Sequence, residues 1–171
     1  MARSDARLAR EVVLALVCAE PRHGWALQRE LAPTGHIGRA WTLSRQLTYR
    51  AIDSLVDDGL ARRAAPREGL GGDRVIISPT AAGRRHCAGW LDKPVEHLRD
   101  VRTELVVKVM LREMHGLRLE PFVARQRTVF EPLIAAVTDA NDSSPVGIWR
   151  EESAESVRRW LDRLSRSQAP R

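Results

Sequence analysis

At 171 residues the chain can form one large domain or two small ones, each burying a real core. Lysine and arginine outnumber aspartate and glutamate by 28 to 22, and this net charge of +6 favours acidic partners such as nucleic acid without constraining the fold. The first residues are charged where a signal peptide would be apolar, and no apolar run approaches the roughly 20 residues of a membrane span, so the expectation is a soluble, cytoplasmic chain without a membrane partner.

Residues 6–19 (ARLAREVVLALVCA) predict a first helix that is apolar on nearly all sides, and such a helix must be enclosed by a domain core or a subunit interface. Glu20-Pro21 ends it, because the residue before a proline is pushed out of the helical region. Gly24 to Leu31 predicts a short second helix, stopped by Ala32-Pro33 and a turn at Gly35. In the third helix Leu43, Leu47, Ala51, Ile52, Leu55 and Val56 recur at the helical period. Ser44 is its N-cap, Gly59 stands where a left-handed C′ residue belongs, and Leu60 can fold back onto the last turn. Arg45, Gln46, Tyr49 and Arg50 point away from the apolar stripe, with Thr48 at its edge. Arginine and glutamine read guanine and adenine edges bidentately, while Ser44 and Tyr49 suit phosphate bonds. Two helices, a turn and an amphipathic helix with a basic face follow the order of a helix-turn-helix.

A hairpin is predicted next: a strand over Leu60–Ala65, a turn-rich PREGLGGD, and a return strand over Arg74–Ser78. As a wing it would bring Arg67 and Arg74 to a neighbouring phosphate or the minor groove. As an ordinary surface hairpin it would leave them solvated. Thr80 can cap a helix through Leu91, and Lys93-Pro94 breaks it. Three amphipathic helices are predicted beyond, over Val95–Met114, from Glu120-Pro121 onward with a bend at Pro132, and over Ile148–Leu164. The fold class is therefore mostly α with a minor β component. Residues 1–92 form a winged helix-turn-helix DNA-binding domain, and residues 93–171 a helical dimerisation and effector region. The first part holds 14 arginines against 10 acidic residues and the second 14 basic against 12, so the positive excess leans towards the DNA helix.

HGWALQREL, WTLSRQLTYRAIDSLVDDGL, TAAGRRHCAGWLDKP and RTELVVKVML, in that order, resemble the PadR family of transcriptional regulators over about residues 8–115. His23-Gly24-Trp25 stands where the family has HGY, Tyr49 where the recognition-helix tyrosine lies, and Asp57-Asp58-Gly59-Leu60 where it has EEGL. Thr80 to Gly83 matches the T-x-x-G after the wing. The chain departs from the pattern at Ile77, usually tyrosine, and at Pro79, often leucine. The resemblance implies a homodimeric repressor that binds an inverted-repeat operator in double-stranded DNA and is released by a small aromatic or hydrophobic ligand. Trp90, Trp149 and Trp160, in otherwise aromatic-poor helices, are the candidate ligand contacts, with core or dimer-interface anchoring as their other reading.

The five histidines, His23, His36, His86, His97 and His115, form no ligand pair, and the two cysteines, Cys18 and Cys87, stand at no metal-ligand spacing. Cys18 ends an apolar run and reads as a small buried hydrophobe, with a redox pair as the alternative. No phosphate loop, nucleophile elbow or dinucleotide fingerprint is present, so neither a cofactor nor an enzyme is expected. Two other readings share the fold. One is an adaptor that binds protein through the same face. The other is a MarR-type regulator, which would place dimer helices on both sides of the wing domain.

Overall fold

The computed structural model describes residues 3–64 and 75–167. The chain divides into two compact units, Met1–Lys93 and Pro94–Arg171.

In the first unit the order is α1 (Arg3–Ala19), β1 (Arg22–His23), α2 (Gly24–Leu31), α3 (Arg45–Asp57), β2 (Ala61–Ala64), β3 (Ile76–Pro79) and α4 (Ala81–Asp92). The run from Val12 to Val17 on α1 is buried without interruption, because α3, α4 and β3 all pack on this helix. A helix enclosed on every side can be apolar on every side. The three strands form an antiparallel sheet in the order β1-β3-β2, with Ile77 facing Arg22 on one side and Arg63 on the other. Ile77, one of the two departures from the family pattern, is buried, and Pro79 is the last residue of its strand, opposite Ala61. A terminal strand position tolerates the missing N–H of proline. The hairpin of β2 and β3 is the expected one, whereas two-residue β1 was not foreseen.

α3 ends in a Schellman turn: the Leu60 N–H donates to the Leu55 carbonyl at 2.9 Å and the Gly59 N–H to Val56 at 3.0 Å, with Gly59 at φ +68°. Thr80 then ties this turn to α4. Its hydroxyl donates to the Gly59 carbonyl at 2.7 Å and accepts from the Gly83 N–H at 3.0 Å, while its own N–H donates to the Leu60 carbonyl at 3.0 Å. A Cβ on residue 83 would lie 1.9 Å from the Leu60 carbonyl oxygen, so only glycine lets α4 pass this close. The T-x-x-G motif is a weld between the end of one helix and the start of the next.

The second unit contains a 3-10 turn (Leu98–Asp100), a π turn (Val101–Leu105), α5 (Val106–Met114), α6 (Glu120–Asp139) and α7 (Pro145–Ser167). Its core joins Val95, Leu105, Val109, Phe122, Phe130, Ile134 and Leu161, among others. The single helix expected over Val95–Met114 is corrected here: regular α-helix begins only at Val106. At the start of the span, Gln126 is fully buried and grips the backbone of Val95 on both sides. Its Oε1 accepts from the Val95 N–H at 2.7 Å and its Nε2 donates to the Val95 carbonyl at 2.8 Å. Those groups are thereby withheld from a helical ladder. Further along, Lys108, 1% exposed, donates to Glu104 at 2.9 Å, one turn back. α6 runs through Pro132, an exposed position where water can satisfy the carbonyl that the proline leaves without a donor.

Candidate nucleic-acid interface

α3 is positioned by the stretch that separates it from α2. Ile37 is buried, and the Leu43 N–H donates to the Leu31 carbonyl at 3.0 Å, which fixes where α3 begins. The Ser44 hydroxyl accepts from the Leu47 N–H at 3.3 Å and starts the helix, as its place in the sequence suggested.

Beyond this cap the side chains separate sharply. Ala51, Ile52 and Leu55 are buried, whereas Ser44, Arg45, Gln46, Tyr49 and Arg50 are exposed, Tyr49 to 37%. Arg45 and Tyr49 form one row at four-residue spacing and Gln46 and Arg50 the next, so the four occupy one contiguous face. The Arg45 guanidinium lies over the Tyr49 ring, 5.7 Å from its centroid. Thr48 does not belong to this face and is a correction. Its side chain is fully buried and its hydroxyl donates to the Ser44 carbonyl at 3.0 Å, leaving nothing to offer a ligand. Arg67 and Arg74 lie outside the described residues.

Charge is sorted along the helix. Its acids, Asp53 and Asp57, and the C-cap Asp58 all lie on the C-terminal half, where Asp53 is paired with Arg63 and Asp58 with Arg10. Neither Arg45 nor Arg50 has an ion pair among the described residues. The N-terminal end of α3, already positive through its helix dipole, thus presents two uncompensated guanidinium groups.

The neighbouring motif His23-Gly24-Trp25 supports this face from α2. His23 Nδ1 accepts from the Ala26 N–H at 3.0 Å and caps α2. Gly24 lies beneath the Tyr49 ring, where a Cβ would come within 3.0 Å of it. The family-like glycine therefore makes room for the family-like tyrosine.

The tryptophans divide differently from the expectation. Trp149 and Trp160, both on α7, line a groove of about 1150 Å³ in the second unit, with Val101, Leu133 and Val137 on its walls and Arg99, Arg102 and Arg150 also lining it. Trp90 belongs to α4 of the first unit, where it is buried as a core residue, so it is withdrawn from the ligand set. Among the described residues no cluster of three or more histidine, cysteine or acidic side chains could hold a metal, and no helix is long and apolar enough to cross a membrane.

Three helices, with the third carrying a cationic exposed face, followed by an antiparallel hairpin against a short extra strand, define a winged helix-turn-helix domain. No protein-family model and no curated protein sequence matches the chain. Among solved structures it is similar to PadR of Bacillus subtilis bound to operator DNA, at 15% identity and a TM-score of 0.44, over 92% of this chain and 97% of that one. The same PadR bound to p-coumaric acid matches at 14% identity and a TM-score of 0.46, over 95% and 99%. The virulence activator AphA of Vibrio cholerae matches at 20% identity and a TM-score of 0.42, over 93% and 96%.

Proposed function

We propose that the chain is a homodimeric, PadR-type transcriptional regulator that represses by binding an inverted-repeat operator through α3 and is released by a small aromatic or hydrophobic compound. The observation that carries the reading is the exposed face of Arg45, Gln46, Tyr49 and Arg50, clustered at the helix end that a helix-turn-helix inserts into the major groove. Arg45 and Gln46 read base edges, and Tyr49 and Ser44 hold phosphates. Dimerisation is supported by apolar side chains left exposed around the start of α7, namely Val146, Ile148 and Trp149, the last to 72%. Two such subunits would bring their recognition helices to successive major grooves, about 34 Å apart. The groove beneath Trp160, apolar on its walls and lined in part by arginines, suits a planar aromatic compound.

Selection of bound fragments from genomic DNA by the purified protein tests the central point. Recovery of a common palindromic site is expected, bound with an affinity that falls steeply as salt rises. Recovery of no preferred sequence, or binding indifferent to salt, would remove the operator reading and favour a protein-binding winged helix.

A further inference from the structure

We infer that Trp25 and Arg29, on α2, form a second DNA contact that grips the sugar–phosphate backbone beside the groove entered by α3. This rests on the DNA-binding reading of α3 and extends its footprint to another helix. Within His23-Gly24-Trp25 the first residue caps α2 and the second accommodates Tyr49, but Trp25 projects outward, 56% exposed. Arg29, one turn further along, places its guanidinium 4.9 Å from the Trp25 ring centroid. Arg29 has no ion pair among the described residues, although a paired arginine is close by: Arg22 takes both Glu20, at 2.9 Å, and Glu30, at 4.0 Å. The local carboxylates are therefore already committed to another arginine.

The stacked pair is built for a phosphate. A guanidinium held over an indole loses little freedom on binding, and its outer edge keeps the forked donors that match phosphate oxygens. The indole N–H can donate to a second oxygen or to a sugar. Position supports the same conclusion: Tyr49 rests on Gly24, so the first turn of α2 adjoins the groove-facing row of α3. In a helix-turn-helix the helix preceding the recognition helix crosses the backbone. Such contacts carry no base information, so they add affinity for any duplex.

Fluorescence anisotropy with a labelled random-sequence duplex of about 30 base pairs, some three helical turns, titrated at several salt concentrations, tests the inference without a known operator. Arg29→Ala is expected to weaken binding about tenfold and to lower the slope of log affinity against log salt by about 0.9, one phosphate contact. Arg29→Lys should restore the slope, and Trp25→Ala should weaken binding, all with unchanged melting temperatures. Full affinity and slope in Arg29→Ala, alongside their loss in Arg45→Ala/Arg50→Ala, would overturn the inference while leaving the α3 reading intact. Unchanged binding in both would overturn this inference, and failure of Arg45→Ala/Arg50→Ala to alter the fragments selected from genomic DNA would overturn the α3 reading.

Discussion

The Thr48 hydroxyl is consumed by the Ser44 carbonyl one turn back, while the side chains at positions 45, 46, 49 and 50 around it face solvent. Thr48→Val should therefore leave DNA affinity unchanged in a gel shift and reduce stability by no more than about 1 kcal/mol, the worth of one hydrogen bond. Arg45→Ala should do the opposite, abolishing sequence-specific retention with no change in melting temperature. Helical periodicity placed the exposed four correctly and put Thr48 at the margin, because a wheel cannot see the neighbouring elements that cover one side. The cysteines show another limit of local reading. Cys18, at the end of α1, is half-buried and Cys87 on α4 is buried. The hydrogen bond from Cys87, aided by Arg84, holds the Cys18 thiol below its usual range, against the effect of burial. That same hydrogen bond, with burial, pushes Cys87 far up. Since the thiolate is the nucleophile, iodoacetamide should modify Cys18 well before Cys87, beginning at a lower pH than for an ordinary thiol. Peptide mapping after timed alkylation would show the order, and equal rates would contradict it.

Among elements, α3 and α4 were legible in advance down to their caps, because Ser44, Gly59 and Thr80 mark boundaries by local chemistry. The stretch after Pro94 was not. Val95 is held by Gln126, a residue 31 positions away, so no window of sequence around Val95 reveals why helix fails to start there. A buried glutamine also leaves no mark on an apolar pattern. Gln126→Leu should lower stability by about 2–4 kcal/mol, since it strands the Val95 N–H and carbonyl in a buried site, and thermal unfolding would read this as a lower melting temperature. β1 was missed because two residues show no period. Gly83→Ala should be similarly damaging, as its methyl group meets the rigid Leu60 carbonyl rather than a side chain that can move aside. A Gly89→Ala control, where a Cβ meets nothing within 4 Å, should be neutral or slightly stabilising.

For the whole molecule, the place of each tryptophan was not legible in the sequence, because a helix wheel does not show which neighbouring element covers a residue. Sedimentation should find a dimer, and Trp149→Glu should shift it towards monomer while sparing the fold, because the substituted side chain is largely in water. Persistence of the dimer would move the interface elsewhere. The Thr80 junction has a mechanical consequence for such an assembly. With its hydroxyl shared between the turn that ends α3 and the first turn of α4, the two helix ends are joined directly, side by side, although the β2–β3 hairpin lies between them in the chain. A twist applied at Lys93, where α4 is capped, would pass along a stiff rod and through this joint into the shaft that carries Arg45. Under the proposed DNA-binding role, leverage of that kind would let a disturbance at the far end of α4 tilt Arg45 and Tyr49 against the double helix.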